Sequence, residues 1–377
     1  MRILIVGGGT GGTIVANNLA RRLSKEIRTR KARITMLSAS DQHMYQPGLL
    51  YLAFGQMTPD ELYRDQASLL ESSIIFHVDP VEEYKIEEKY VVTKSGKRHN
   101  YDVLVIATGS RIAPAQIPGM TEGADTFYTE ESAIKLFKKL REFEGGTIAI
   151  VVGVPHKCPI APVELVFSLN DYFKKRGIRD KVHIKYHYPI GRIHTIENVA
   201  TWAKPEFDRM GIEYETLFNV EEVDAENNVV KSLEGTETAY DLLIAIPPHC
   251  GMEEIEANNL GEDGWIPTDR HSLLMDGRDD VYVVGDTTNL PVSKTGSAAH
   301  FEAEVIAENI ASVIKMGTPV RDYYGKVYCF IETGHDSATY AMFDYKNPPD
   351  LTNPSKPMHW FKMAYNQMYW TSVRGLL

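Results

Sequence analysis

The sequence predicts an α/β fold with two domains, each built on a parallel sheet, followed by a separate C-terminal region. Three observations lead to this prediction: a buried strand and glycine-rich turn at the chain start, a second strand of the same kind at 147–153, and a length of 377 residues. That length exceeds what one compact core usually holds. We expect residues 1–113 and 270–320 to form the first domain, 114–269 the second, and 321–377 the C-terminal region.

The first motif is a short apolar strand, Arg2 to Val6, followed at once by the turn GGGTGG and a helical stretch. Gly7, Gly9 and Gly12 have the spacing GxGxxG, which allows a tight turn, close backbone approach to a pyrophosphate, and packing of helix on strand. Thr10 opens the helix, whose N-terminus would face the phosphates of a dinucleotide. The turn therefore predicts a Rossmann-like dinucleotide-binding domain.

The second strand, Arg33 to Leu37, is expected to end beside the ribose of the dinucleotide, where an acidic residue is usual. Ser38 and Ala39 stand there instead, with Asp41 shortly after them. A serine hydroxyl can bind a ribose hydroxyl, whereas Asp41 can simply cap a turn. Ser38, with Ala39 beside it, and Asp41 are therefore the candidate ribose contacts.

Two later segments, YDVLVIATGS and DDVYVVGDTTNL, are buried strands that end in small or acidic residues. They resemble the ATG and GD motifs of the two-domain FAD-dependent reductases, in which the GD aspartate binds the ribityl and pyrophosphate portion of FAD. An ordinary helix cap is the alternative role for the aspartate. The resemblance implies FAD contacts at four positions: Thr108, Gly109, Gly285 and Asp286.

The second parallel-sheet domain begins at the strand Thr147 to Gly153, but no glycine-rich loop follows it in the sequence. The chain continues as VPHKCPIAPVELVFSL, which lacks the glycines that let backbone approach a pyrophosphate. NADH is therefore not the expected reductant. Cys158 occupies this turn, beside Lys157 and at the expected start of a helix, so we expect a lowered thiol pKa. A buried cysteine without a redox role is the alternative.

Cys329 lies in YCFIETG, after the FAD motifs. With HKCPIAPVE, YQPGL and YDLLIAIPPH, this segment resembles the sulfide:quinone oxidoreductases and the flavin subunits of flavocytochrome c sulfide dehydrogenases. The resemblance implies that Cys158 and Cys329 are a redox pair that oxidises sulfide to polysulfide or sulfur, with electrons passing through FAD to membrane quinone. Many members of the family that the chain resembles carry a third cysteine between the ATG motif and the first redox cysteine, in some cases bound to the flavin. No cysteine lies in that part of this chain, so we expect non-covalent FAD. Cys250 is interpreted as a structural thiol.

Three further residues are candidates for roles in this chemistry. Glu164, on the helix after Cys158, is a candidate proton acceptor for hydrogen sulfide, with a solvated surface carboxylate as the alternative. His194 resembles a family histidine linked to proton movement, although a lone histidine is more often structural. Lys294, after the GD motif, would place a positive charge near the flavin or the quinone, or is an ordinary surface lysine.

Composition excludes several classes of function. A net charge of -11 opposes binding to nucleic acid. No run of about 18 apolar residues is present, and the chain opens with a core strand instead of a signal peptide. No metal site is predicted, and a homo-oligomer is left open by the sequence.

The C-terminal end combines a net positive charge with many aromatic residues, and the resemblance implies that it contacts the membrane surface and quinone. We therefore expect a peripheral membrane protein, on a leaflet that the sequence does not specify. Core packing of the aromatic residues is the alternative. The candidate quinone or membrane residues are Phe330, Phe361 and Tyr365.

Three other functions compete with sulfide:quinone oxidoreduction. A type II NADH:quinone oxidoreductase would share the fold and the C-terminal end, and a flavocytochrome c sulfide dehydrogenase flavin subunit would share the cysteine chemistry. The non-enzymatic alternative is a flavin-binding membrane scaffold or redox sensor, which would bind flavin without catalysing a reaction.

Overall fold

The protein is described by a computed structural model that covers residues 1–334 and 336–376. His335 and Leu377 of the predicted C-terminal region lie outside the described residues. The strands of the first half are Arg2–Val6 (β1), Arg33–Ser38 (β2), Gln42–Met44 (β3), Tyr63–Asp65 (β4), Ile75–Val78 (β5), Val81–Lys85 (β6), Tyr90–Thr93 (β7), Arg98–Asn100 (β8), Val103–Ile106 (β9), Ser110–Ile112 (β10), Gly146–Val152 (β11) and Val182–Tyr188 (β12).

The remaining strands are Glu213–Thr216 (β13), Val220–Asp224 (β14), Val229–Ser232 (β15), Glu237–Ala239 (β16), Leu242–Ile246 (β17), His249–Gly251 (β18), Val281–Val283 (β19), Val327–Gly334 (β20) and Ser337–Phe343 (β21). The α-helices are Thr10–Arg22 (α1), Ser24–Arg28 (α2), Gly48–Ala53 (α3), Gln66–Leu69 (α4), Met120–Gly123 (α5), Glu130–Glu142 (α6), Ala161–Lys175 (α7), Glu197–Met210 (α8), Glu253–Ala257 (α9), Gly296–Met316 (α10), Lys356–Gln367 (α11) and Tyr369–Ser372 (α12).

The strands of the described residues form two parallel sheets, one in each predicted domain. The first has the order β19-β9-β1-β2-β5 and the second the order β13-β12-β11-β17, and each is accompanied by a three-stranded antiparallel sheet, β6-β7-β8 or β14-β15-β16. Apart from the exposed Arg2 at the start of β1, the strands β1, β9 and β19 are buried apolar runs, because both faces of a parallel sheet are covered. The predicted α/β fold with two Rossmann-like domains is confirmed.

Helices α1 and α10 pack against each other over the first sheet. Ile14 and Leu19 of α1 share one buried core with Ala303, Ile306 and Ile310 of α10. Since α10 follows β19 and α1 follows β1, this packing fixes the two strand ends that carry the glycine-rich turn and the GD motif.

The C-terminal region is an antiparallel hairpin, β20 and β21, followed by the helices α11 and α12. The hairpin packs on α7, and α11 packs on β21. Ser355 caps α11 by accepting a hydrogen bond from the backbone of Met358 at 3.4 Å. Of the helices in residues 1–334 and 336–376, none combines the length and apolar character needed to cross a membrane.

Candidate active site

The three predicted FAD motifs meet at one edge of the first sheet. β19, β9 and β1 are neighbours, and their carboxyl ends are where ligands bind in open α/β sheets. A Cβ on Gly7, which has φ +112°, would lie 2.2 Å from the carbonyl oxygen of Ala107, and one on Gly12 would lie 2.0 Å from the carbonyl oxygen of Gly7. Both positions therefore require glycine to pack the turn against its neighbours.

The same turn leaves space for a dinucleotide. A Cβ on Gly9 or Gly109 would meet no atom of the described residues within 4 Å. Gly9 is the N-cap of α1, and no described side chain caps that helix start. Backbone amides at a helix N-terminus bind phosphate. The open space at Gly9 therefore fits a pyrophosphate, whereas Gly7 and Gly12 maintain the fold.

This difference gives a testable contrast between two alanine substitutions. We expect Gly12→Ala to lower the free energy of unfolding by about 1–3 kcal/mol, because its methyl group overlaps main-chain atoms. Gly9→Ala should change it by less than about 1 kcal/mol yet weaken FAD binding, because its methyl group enters the phosphate space. Thermal unfolding of the apoprotein and fluorescence titration with FAD measure the two effects. Wild-type FAD affinity in Gly9→Ala would contradict the assignment.

The other predicted cofactor residues surround this turn. The Ser38 hydroxyl is buried, and a Cβ on Gly8 would lie 2.7 Å from it. Ala39 follows it and is exposed. The Thr108 and Thr287 hydroxyls join the ATG and GD motifs at 3.2 Å. Thr10, also predicted, begins α1.

A buried carboxyl group binds the backbone of the GD turn. Gly285, at φ +78°, donates its backbone N–H to Glu302 at 2.6 Å. Burial raises the pKa of Glu302 to about 7. The Lys294 amine donates to the carbonyl oxygens of Asp286, at 3.1 Å, and Thr288, and lies 4.1 Å from the Trp265 ring. Lys294 is therefore not an ordinary surface lysine, because it holds the GD turn.

Asp286 faces the second domain. The Ser110 hydroxyl donates to its Oδ2 at 3.2 Å, and the Lys157 amine lies 3.9 Å from the same oxygen. Lys157 also donates to Gln46 at 2.7 Å. A cavity of about 740 Å³ opens beside these side chains, a size typical of ligand sites. Its lining includes Gln46, Tyr63, Ser110, Tyr128 and Lys157.

The turn after β11 has no comparable phosphate space. A Cβ on Gly153 would lie 2.5 Å from Cδ of Pro248, so the proline ring fills the position where a nucleotide loop would open. Tyr188 ends β12, where an acidic residue usually binds a ribose in such folds. Both observations support the prediction that this domain does not bind NADH.

The structure brings the two predicted redox cysteines together. Both are free, half-buried thiols that pack on one core, and ionisation of Cys158 would raise the pKa of Cys329, as expected for neighbouring thiols. The Cys158 amide donates to the carbonyl oxygen of Lys294 at 2.9 Å, which joins the cysteine turn to the segment after the GD motif. Thr295 acts on the pKa of Cys329 in the lowering direction, against the larger effect of burial. Cys250 lies elsewhere, buried on β18 opposite Arg111.

The prediction of a lowered pKa for Cys158 is wrong. α7 begins at Ala161, three residues later than a helix that starts at Cys158 would, and Cys158 itself has a left-handed φ of +51°. Burial, followed by the charge of Glu164, raises the pKa of Cys158 to about 11 and outweighs Lys157. Burial raises the pKa of Cys329 still further.

The geometry at His194 also differs from the predicted role in proton movement. Its Nδ1 accepts the backbone N–H of Ile196 at 2.9 Å, so Nε2 carries the proton and donates to the carbonyl oxygen of Pro159 at 2.8 Å. The ring is fully buried, and burial lowers its pKa to about 4. Both nitrogens are therefore engaged by backbone, and the ring positions the turn that carries Cys158.

His194 should make stability depend on pH. Its pKa is about 4 in the folded protein and 6.5 for an ordinary histidine, which is the value we use for the unfolded chain. The neutral ring therefore contributes its full stability above pH 6.5, and this contribution is lost as the pH falls toward 4. The wild type should lose unfolding free energy when the pH is lowered from 7 to 5. We expect this loss to be about 2 kcal/mol smaller in His194→Phe, because phenylalanine has no group to protonate. Denaturant unfolding at both pH values measures this, with exposed His183→Gln as control. Equal losses in His194→Phe and wild type would refute the assignment.

A buried charged cluster connects the cysteine pair to the C-terminal helix. Lys362 of α11 is only 5% exposed and forms an ion pair with Glu164 of α7. Its amine also lies 4.0 Å from Glu332 of β20, whose other oxygen is 2.8 Å from Nδ1 of His359. Burial disfavours the charge on Lys362, but Glu164, Tyr51 and Glu332 outweigh burial and raise its pKa. Glu164 is therefore a paired carboxylate, not a solvated one.

The candidate quinone residues form an aromatic group beside Cys329. The Phe330 ring lies 5.6 Å from Phe361 and 5.2 Å from Tyr365, between ring centres. Phe330 is buried, while Phe361 is 53% and Trp360 66% exposed. α11 thus buries Lys362 and exposes Trp360 and Phe361, and Met368, which follows the helix, is exposed as well.

Sequence reasoning missed Lys362, Glu332 and His359. Their partners lie far away in the chain, since Lys362 and Glu164 are 198 positions apart. The available signal was a lysine placed between aromatic residues of one helix, which contributes to the net positive charge of the C-terminal end.

Comparison with known proteins places these features in context. Residues 1–304 match the family model described as pyridine nucleotide-disulphide oxidoreductase. The mitochondrial sulfide:quinone oxidoreductase of Dictyostelium discoideum is 28% identical over 99% of this chain and 85% of its own length. The sulfide-quinone reductase of Aquifex aeolicus is 25% identical over 99% and 91%. The crystal structure of the Aquifex aeolicus sulfide:quinone oxidoreductase aligns with a TM-score of 0.85 at 24% identity, over 99% of this chain and 91% of that one.

Proposed function

Because this chain belongs to the pyridine nucleotide-disulphide oxidoreductase family, we propose that it is an FAD-dependent sulfide:quinone oxidoreductase. The names of its curated relatives support this activity. The observation that carries the proposal is that both cysteines lie beside the segment after the GD motif, at the turn that lacks a nucleotide loop: the Cys158 amide donates to Lys294, and the amide of Tyr328, next to Cys329, donates to Ser297.

The residues that would hold FAD are those of the glycine-rich turn and of the ATG and GD motifs. Gly9 leaves space for the pyrophosphate, and Asp286, oriented by Ser110 and Lys157, faces the cysteine turn. When bound, FAD would supply a group that takes two electrons from the thiols and gives them to quinone.

The sulfur step needs only the cysteines and sulfide. In the oxidised protein HS⁻ attacks a Cys158–Cys329 disulfide, one new S–S bond forms as the old one breaks, and a persulfide and a thiolate result. One cysteine of the pair would leave as the thiolate and the other would keep the persulfide. Glu164, beside both thiols, would accept the proton of hydrogen sulfide.

The exposed aromatic face of α11 supports binding to a membrane surface. Trp360 and Phe361 favour the headgroup layer, and the group of Phe330, Phe361 and Tyr365 offers quinone an apolar contact next to Cys329. We expect the double variant Trp360→Ser/Phe361→Ser to bind lipid vesicles at least about tenfold more weakly. Vesicle flotation measures this, with the exposed Leu233→Ser as control. Unchanged flotation would leave the aromatic face without a membrane role.

Anaerobic visible spectroscopy of the purified holoprotein tests the proposed reaction. Sulfide should bleach the flavin band and decyl-ubiquinone should restore it, while NADH should have no effect. Bleaching by NADH alone would favour a type II NADH:quinone oxidoreductase. Bleaching by sulfide without reoxidation by quinone would favour a cytochrome-linked sulfide dehydrogenase subunit, and no bleaching at all would favour the scaffold or sensor.

A further inference from the structure

One face of α1 carries a row of polar side chains, of which the two in the middle are buried and the two at the ends are partly exposed. Thr10, Thr13, Asn17 and Arg21 follow one another at intervals of three or four residues, which places them on one side of the helix. Thr13 and Asn17 are fully buried. The segment 369–375, at the end of the C-terminal region, lies along this row.

The contacts run the whole length of α1. The Tyr369 hydroxyl lies 2.9 Å from Oγ1 of Thr10. Asn17 donates to the carbonyl oxygen of Val373 at 3.2 Å, and Arg21 donates to that of Gly375 at 2.6 Å. We call residues 369–375 the clasp.

At the glycine-rich turn the clasp joins a closed hydrogen-bond network. His43 is buried and neutral, since burial lowers its pKa, and its Nδ1 donates to Gln66 at 2.9 Å. Its Nε2 therefore accepts from the Tyr369 hydroxyl at 2.7 Å, which leaves the Tyr369 oxygen to accept from Thr10. Gln66 donates to Thr13 at 2.9 Å, and Thr13 donates to the carbonyl oxygen of Gly8 at 3.1 Å.

Tyr369 is thus connected to both sides of the turn that would hold the pyrophosphate. One path reaches Thr10, the first residue of α1, and the other reaches Gly8 through His43, Gln66 and Thr13. A turn whose two sides are fixed in advance loses less conformational entropy when a ligand binds.

We propose that Tyr369 is a positioning residue for the cofactor turn, and that docking of the clasp on α1 and binding of FAD stabilise each other. This inference rests on the proposed flavin site. Because coupling between two sites is reciprocal, the clasp strengthens FAD binding by the same factor by which FAD strengthens clasp docking.

Two variants test whether docking of the clasp strengthens FAD binding. Fluorescence titration of apoprotein with FAD should give a Kd about tenfold higher for Tyr369→Phe, which keeps the ring and removes the hydroxyl. Arg21→Gln should also raise the Kd, although Arg21 lies about 16 Å along α1 from Thr10. The control is Tyr324→Phe, an exposed tyrosine whose hydroxyl lies 3.4 Å from Asp322. An unchanged Kd in either variant would overturn the coupling.

The effect of FAD on docking of the clasp is measured on the wild-type chain, so this test does not require a variant to fold. Hydrogen exchange of residues 369–375 should slow when FAD is added to the apoprotein, by a factor similar to the change in Kd. Equal exchange with and without FAD would overturn the proposal. Neither measurement uses sulfide or quinone, so a failure of the proposed reaction would appear only in the anaerobic bleaching experiment.

Discussion

Serine at either redox cysteine should abolish reduction by sulfide. We expect Cys158→Ser and Cys329→Ser each to slow bleaching of the bound flavin by sulfide at least about a thousandfold, because neither variant can form the disulfide that sulfide attacks. Serine is close to cysteine in size, and neither position touches the glycine-rich turn, so FAD content should stay at the wild-type level. Anaerobic stopped-flow spectroscopy measures the rate.

The third cysteine provides the matched control for this experiment. Cys250 is buried on β18, opposite Arg111, and burial raises its thiol pKa. Cys250→Ser should change the bleaching rate by less than about twofold. If Cys158→Ser or Cys329→Ser behaves like Cys250→Ser, sulfide reduces the flavin without the cysteine pair and the proposed sulfur step is wrong.

Removal of the buried lysine of α11 should produce the largest loss of stability. Lys362→Met leaves Glu164 and Glu332 buried without their shared cation, which we expect to cost about 3–5 kcal/mol of unfolding free energy. Lys356→Met, an exposed lysine on the same helix, should change it by less than about 0.5 kcal/mol. Denaturant unfolding at pH 7 compares the two variants.

Two further measurements separate charge from packing at this position. The double variant Lys362→Met/Glu164→Gln should recover part of the lost stability, because it removes one of the two unpaired carboxylates. The loss in Lys362→Met should also shrink as pH falls, since burial raises the pKa of Glu332 and a protonated carboxyl needs no partner. A loss independent of pH, with no recovery in the double variant, would indicate packing alone.

The fold and the cofactor turn could be predicted because their signals are local. A buried apolar run predicts β1, and the spacing of Gly7, Gly9 and Gly12 predicts the turn that follows it. The start of α7 could not be predicted in the same way. Pro159 and Pro162 are both acceptable in a first helical turn, and a left-handed φ is uncommon outside glycine, so nothing local marked Cys158 as lying before the helix.

The rest of the site depends on contacts between distant segments. Periodicity shows which face of a helix is apolar but not which element will cover it. Lys362 in an aromatic helix gives no sign of Glu164, and Tyr369 gives no sign of Thr10, which is 359 positions away. The meeting of Cys158 and Cys329 could be predicted only because their surrounding motifs resemble a known family.

The proline ring that covers Gly153 has a consequence for how this protein would choose its reductant. A dinucleotide is bound through its phosphates, which need backbone that they can approach closely. At this turn the proline ring occupies that space. Sulfide offers almost no shape or surface to recognise. Selectivity at the half-buried thiols would therefore rest on access, because a small nucleophile needs no nucleotide site to reach them, whereas a dinucleotide would meet the Pro248 ring where its phosphates need open backbone.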